Sequence, residues 1–309
     1  VAQFKREFME GALSKGMHQA AAEKVWQMIA GFAGYSFSKA HAAAFAVIVY
    51  WSAWLRVHYP TEYFCGLLRN SPLGTYPPNV LESEARRARV KFLPFDINRS
   101  PARPAVERGA IRHGLGYVRG IGDEKAEEIV RIRGGTPFHS LSNFIRRTRL
   151  DRRSVEALIL SGAFDRFGER RQLLWGLARA FKIADGRREL PLEVSDERAA
   201  MRPMPDDQKL MATFALTGVT GGMHLVEVRR DAFTQAGCVP YPNLLKMRSG
   251  AKVRAGGLVA DGLRRPPTAH GVSFARLDTP DGIIDIIVPA PLFDEAHEAL
   301  RSAFIVVGL

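Results

Sequence analysis

"VRGIGDEKAEEIVRIRGG", residues 118–135, sets the fold of the middle of this 309-residue chain. Gly120 and Gly122 flank a single apolar residue, Ile121, and permit a tight turn. Asp123 and Glu124 follow where acidic side chains favour the first turn of a helix. The reading is therefore helix, tight turn, helix, with "GLGYVRG" (114–120) leading in. Backbone N–H groups at such a turn, beside a helix N-terminus, suit an anion of the phosphate type. Lys125, Arg131 and Arg133 surround the turn. On its own, Gly-x-Gly also fits an ordinary helix cap. A second candidate, "TRLDRRSVEALILSGAFD" (148–165), lies about thirty residues on, with Arg149, Arg152 and Arg153 at its turn. The tandem favours a pair of helix-hairpin-helix units gripping a nucleic-acid backbone, which carries no base identity.

Charge agrees with that reading. Lys and Arg exceed Asp and Glu by 12. The excess is +5 over residues 1–100, +8 over 101–189 and −1 over 190–309. A basic middle third is the footprint of a polyanion partner, although a merely soluble basic surface has the same composition. Hydrophobic residues make up 46%, which excludes a disordered tail. Cys65 and Cys238 lie far apart and form no redox or metal-ligand spacing; Cys65 reads as a buried thiol. No signal peptide is visible, so the expected location is cytoplasmic. The chain opens on "QFKREFMEGALSKG" as if inside a helical domain and closes on a strand-like "SAFIVVGL", so a fragment is expected.

Working outward, residues 1–70 read as helices. "HQAAAEKVWQMIAGFA" is amphipathic and ends near Gly31 or Gly34, and "TEYFCGLLRNS" is a helix capped by Thr61. "NVLESEARRARV" is a helix from about Asn79, "KFLPFDIN" an extended stretch, and residues 100–113 a Pro- and Arg-rich connector. Residues 186–207 read as a linker and "QKLMATFALTG" as a short helix. From Lys252 the pattern changes to strands, "KVRAGGLVA", "GVSFARLDT" and "GIIDIIV", then a helix and "AFIVVGL". That order suits an incomplete five-stranded OB barrel, or a generic small β-domain.

Between the first helices runs "GYSFSKAHAAAFAVIVYWSAWLRVHYP" (34–60), whose residues 42–55 are almost free of charge. A helix apolar all round is buried on every side or lies in a membrane. The run is shorter than the 18–20 apolar residues of a typical span and is flanked by Lys39, Arg56 and His58, so a buried helix is expected. No nucleophile, two-metal carboxylate pair, HExxH, GxSxG or P-loop is visible. Asp96 is isolated and reads as structural, and most of the eight histidines read as surface or core residues.

From "FAGYSFSKAHAAAFAVIVYWSAWLRVHYPTEYFCGLLRNSPLGTYPPNVLESEARRARVKFLPFDINRS" through "GLGYVRGIGDEKAEEIV" and "LILSGAFDRFGERRQLLW", the chain resembles bacterial C-family DNA polymerases of the DNA polymerase III alpha type. The likeness covers essentially the whole chain. The stretches "LLRNSPLGTYPPNVLESEARR" and "LPFDINRS" look more like the error-prone, translesion branch than the replicative one. The resemblance implies a multidomain, mainly α protein followed by a partial β OB-fold barrel. It divides the chain into the C-terminal part of the fingers (1–100), a tandem helix-hairpin-helix region (101–189), a linker with short helices (190–250) and a partial OB-fold (251–309). It implies a nucleotide site at Tyr35, Ser38, Lys39 and His41. It implies DNA contacts at Gly120, Gly122, Lys125, Arg149, Arg152, Arg153, Arg254, Arg264 and Arg265. It further implies primer-template DNA and deoxynucleoside triphosphates as partners, with a sliding clamp and other translesion-synthesis proteins beside them and no membrane. The catalytic aspartates that hold Mg2+ would belong to a palm domain preceding Val1, so neither a catalytic nor a metal-binding residue is expected here. "QKLMATF" (208–214) is a poor match to a clamp-binding peptide and more simply a helix. Two other classes remain: a non-catalytic DNA-binding module and a membrane-associated helical protein. An upstream Asp-x-Asp strand pair would separate the polymerase from the first, and lipid exposure of residues 42–55 would favour the second.

Overall fold

The computed structural model describes residues 2–33, 39–71, 76–185, 201–264, 271–293 and 304–308. It forms two compact units, 1–57 and 58–309.

The first unit is helical. Helices α1 (Ala2–Ser14) and α2 (Gln19–Ala33) pair through a Lys5–Glu23 ion pair of 3.1 Å and a Phe8–Trp26 ring contact of 5.7 Å. Helix α3 (Lys39–His58) forms as its composition dictates, but the expectation of burial fails. None of its residues is buried; Ile48, Trp51 and Val57 are 53%, 61% and 73% exposed. A helix apolar all round needs a cover that water cannot supply, and the described residues do not provide it. Among the described residues it is the one helix long and apolar enough to cross a membrane, by length and composition alone.

The second unit is mostly helical, with two small sheets. Helices α4 (Pro60–Arg69) and α5 (Pro78–Arg87) each begin on a proline whose missing N–H costs nothing in the first turn. Tyr59 is the residue at the start of α4, so Thr61 lies inside the helix and caps nothing. Cys65 is buried as expected, and burial pushes its thiol up. Strand β1 (Lys91–Leu93) pairs in parallel with β3 (Ala110–Arg112), which forms a hairpin with β2 (Ala105–Glu107). The expected connector at 100–113 thus supplies two of the three strands of a sheet. Its turn is Arg108-Gly109, both at positive φ (52° and 76°), the two-residue geometry that matches strand twist.

Helices α6 (Gly122–Arg133), α7 (Leu141–Thr148), α8 (Arg152–Leu160), α9 (Arg170–Trp175) and α10 (Leu177–Ala184) surround the main core. Phe138, Phe144 and Phe164 stack edge to face at its centre beside Ile129, Leu158 and Ile159. Helix α11 (Asp206–Thr217) ends on Gly218 at φ 69°; its Leu216 packs against the same core, and Val219, just past the cap, joins it. The peptide at 208–214 is therefore helical. Short helices α12 (Leu225–Val228), α13 (Arg230–Gln235) and α14 (Tyr241–Leu244) lead to the second sheet. Strands β4 (Arg254–Arg264), β5 (Ser273–Asp278), β6 (Ile283–Val288) and β7 (Phe304–Gly308) lie antiparallel in the order β6-β5-β4-β7, with irregular register along β4. All four expected strands form, and residues 290–293 are helical between β6 and β7.

Candidate nucleic-acid interface

The loop before α6 is shaped by close backbone approach. Leu115 and Gly116 N–H donate to the Pro101 and Ala102 carbonyls at 2.8 and 2.9 Å. A Cβ at Gly114 would meet the Ala102 oxygen at 2.4 Å, so only glycine passes. Gly120 and Gly122 then take φ of 86° and 65°, with open space around both. Ile121 is buried between them and its N–H donates to Val118 O at 2.9 Å. Helix α6 therefore starts at an exposed glycine, and no side chain caps its first N–H groups. Those groups are the unsatisfied donors of a helix start, at the positive end of its dipole. Asp123 in the first turn is held by Arg103 at 2.7 Å.

The second turn is built differently. Arg149 ends α7 in the left-handed conformation (φ 53°), Leu150 is buried, and Asp151 caps α8. The Asp151 carboxylate accepts the Ser154 N–H at 2.9 Å and the Ser154 hydroxyl at 2.8 Å, and these bonds hold its carboxyl below the usual range. The N–H donors of this turn are thus partly spent on the protein itself. Its chemistry is that of its exposed arginines.

The residues expected from sequence separate accordingly. Gly120 and Gly122 sit on one exposed turn; Arg149 and Arg153 are exposed at the other. Arg152 is committed to Glu156 at 2.8 Å, an i,i+4 pair within α8. Lys125 connects the two turns: its Nζ donates to Gly120 O at 3.0 Å and to Ser154 Oγ at 3.2 Å, and lies 3.6 Å from Asp151. Arg254 opens β4 and donates to Ala236 O at 3.2 Å, while Arg264 closes the same strand opposite Phe274. Lys39 is the exposed first residue of α3, and His41 packs its ring on Phe45 at 4.5 Å, one helical turn on. Tyr35, Ser38 and Arg265 lie outside the described residues. Asp96 is structural, accepting the Asn98 N–H at 2.8 Å. Among the described residues no group of three or more His, Cys, Asp or Glu could hold a metal ion.

Sequence reading missed a buried polar network centred on α5. Glu82, fully buried, accepts the Thr220 and Gly221 N–H groups at 2.7 and 2.8 Å and the Thr220 hydroxyl at 3.1 Å. His113 Nε2 lies 3.3 Å away, its ring stacked between Phe92 and Phe95. Burial pushes the Glu82 carboxyl up, but His113, the Arg86 charge and the Thr220 N–H outweigh it and hold it at about 2. Next to it, Asp278 accepts from Ser83 at 2.6 Å and from Arg87 at 3.2 Å, with His224 Nε2 at 3.2 Å. Arg87 also donates to Thr279 O at 2.8 Å, so α5 ties the second sheet to the helices. The one sequence signal was a run of polar residues on a short helix, "LESEARR" (81–87), with few apolar positions to bury it.

Residues 89–174 match the helix-hairpin-helix motif family, and an antiparallel sheet follows them in the chain. Over nearly its whole length the chain is similar to a segment of error-prone DNA polymerases. It is 35% identical over 305 residues to the error-prone DNA polymerase of Corynebacterium glutamicum, covering 98% of this chain and 28% of that protein. It is 32% identical over 289 residues to that of Pseudomonas aeruginosa (90% and 27%) and 34% over 319 residues to that of Burkholderia pseudomallei (99% and 29%). The chain thus spans under a third of the length of these curated relatives.

Proposed function

We propose that this chain is the fingers and DNA-grip portion of an error-prone, translesion DNA-directed DNA polymerase of the bacterial C family. The observation that supports it most is the uncapped, glycine-opened start of α6, which lies beside a second, arginine-bearing turn. One turn offers backbone N–H groups to a phosphate and the other offers guanidinium charge. Binding of this kind is salt-sensitive and largely indifferent to sequence, as a polymerase moving along primer-template DNA requires.

In this reading residues 1–100 belong to the fingers, 101–189 to the helix-hairpin-helix grip, 190–250 to a connecting segment and 251–309 to an OB-type domain. Lys39 and His41, at the mouth of α3, face the incoming deoxynucleoside triphosphate with Tyr35 and Ser38, and α3 packs against protein rather than lipid. Lys39 supplies a point charge for a phosphate oxygen. Arg149, Arg153, Arg254, Arg264 and Arg265 follow the DNA backbone. The two Mg2+ ions of such chemistry would be held by the rest of a longer, cytoplasmic polymerase.

The test is direct. The purified chain should bind primer-template DNA and incorporate no nucleotide, whereas the full-length gene product should extend the primer. No binding by the chain, or template-directed synthesis by the chain alone, overturns the reading.

A further inference from the structure

We infer that Lys125 acts as a clamp that fixes the spacing of the two turns, and not as a phosphate ligand; this rests on the DNA-grip reading above. An ammonium has three donors, and two hydrogen-bond acceptors and one carboxylate charge from two different turns surround this one. Gly120 O lies at 3.0 Å on the first, and Ser154 Oγ at 3.2 Å and Asp151 Oδ2 at 3.6 Å on the second. The acceptors are themselves arranged for it. The Ser154 hydroxyl gives its proton to Asp151 at 2.8 Å, which leaves its lone pair for Lys125. Ser154 is 4% exposed and cannot swing away.

The bond to Gly120 O has a second consequence. The Gly120–Ile121 peptide is held at its oxygen by Lys125 and at its nitrogen by Val118 O, 2.9 Å away. That peptide immediately precedes Gly122, the first residue of α6. Fixing its plane fixes the direction of the exposed N–H groups that follow. Lys125 thus preorganises the first turn and sets its distance from the arginines of the second, so one duplex backbone meets both together.

Asp151→Asn separates this account from plain electrostatics. Asparagine caps a helix as well as aspartate, so α8 keeps its start but loses the charge facing Lys125 and the acceptor that orients the Ser154 hydroxyl toward it. Removing a carboxylate from a DNA-facing surface ordinarily strengthens binding; the clamp predicts weakening, by about 3- to 10-fold. Lys125→Met should weaken binding by a similar factor and leave the log–log salt slope at its wild-type value, whereas loss of a phosphate ligand would shrink the slope by about 0.9. The double variant should be no worse than the weaker single one, since both break one interaction. Without DNA, amide exchange over residues 118–124 should speed up several-fold in either variant while the melting temperature holds. Tighter binding by Asp151→Asn, a slope reduced by about 0.9 in Lys125→Met with additive losses, or unchanged exchange in 118–124 overturns the clamp. If the wild-type chain binds no duplex at all, the DNA-grip reading falls, and the exchange measurement alone decides whether Lys125 clamps the turns.

Discussion

Helices α3 and α5 invert the usual relation between hydropathy and burial. Helix α3 is built from Ala, Phe, Val, Ile, Tyr and Trp, and none of its twenty residues is buried. Helix α5 reads PNVLESEARR, and six of its ten residues are buried, Glu82 completely. The difference teaches that composition states a requirement and that tertiary structure decides whether it is met. For α5 the requirement is partners: a buried carboxylate persists only when its lone pairs are filled, and Glu82 and Asp278 have theirs filled. For α3 the requirement is cover, and the described residues do not supply it.

The largest expected effect lies at Glu82. Glu82→Ala leaves the buried Thr220 and Gly221 N–H groups without their acceptor and His113 without its facing carboxylate, so the second unit should lose about 3–5 kcal/mol in denaturant melts. A loss under about 1 kcal/mol would show that α5 is not held by its partners. Asp278→Ala should cost less, about 2–3 kcal/mol, because Arg87 keeps Glu84 and the Thr279 carbonyl.

Protonation probes the same site without mutation. The folded Glu82 carboxyl, at about 2, is depressed below its ordinary 4.5. Its contribution is therefore complete above about pH 4.5 and lost as pH falls toward 2. The stability gap between the wild type and Glu82→Gln should stay constant from pH 7 to 5 and close below it. A gap that widens on acidification reverses the sign and breaks the account.

The smallest effect belongs to α3. Trp51→Gln exchanges an exposed apolar side chain for a polar one and should change stability by under about 0.5 kcal/mol. Light scattering should show less self-association. A loss of several kcal/mol would place Trp51 in a core and dissolve the contrast with α5.

What could be read from sequence follows from distance along the chain. The first turn was legible because its glycines, its acidic first turn and its basic neighbours lie within twenty residues. The β4–β7 strands were legible from alternation and their turns. Glu82 was not, since its acceptor pattern is completed by Thr220, 138 residues away, and Ser83 meets Asp278 across 195 residues. The Arg108-Gly109 hairpin escaped because its strands are three residues long and arginine is a rare choice at positive φ. Burial of α3 was misjudged because hydropathy cannot name a cover. The bond of Lys125 to Ser154 was not legible either, since it joins residues 29 apart in sequence.

The central claim is that the glycine-opened start of α6 grips phosphate without reading bases. The most direct measurement is the affinity of the wild type and Gly122→Val for two unrelated duplexes across a salt series. The account predicts similar affinities for the two duplexes and a linear fall of log K with log salt, about 0.9 per phosphate neutralised. It also predicts a roughly tenfold loss on both for Gly122→Val, the size of one charge-assisted hydrogen bond, because valine cannot hold φ of 65° without strain. A hundredfold preference for one duplex, or a Gly122→Val variant that binds both as the wild type does, would contradict it.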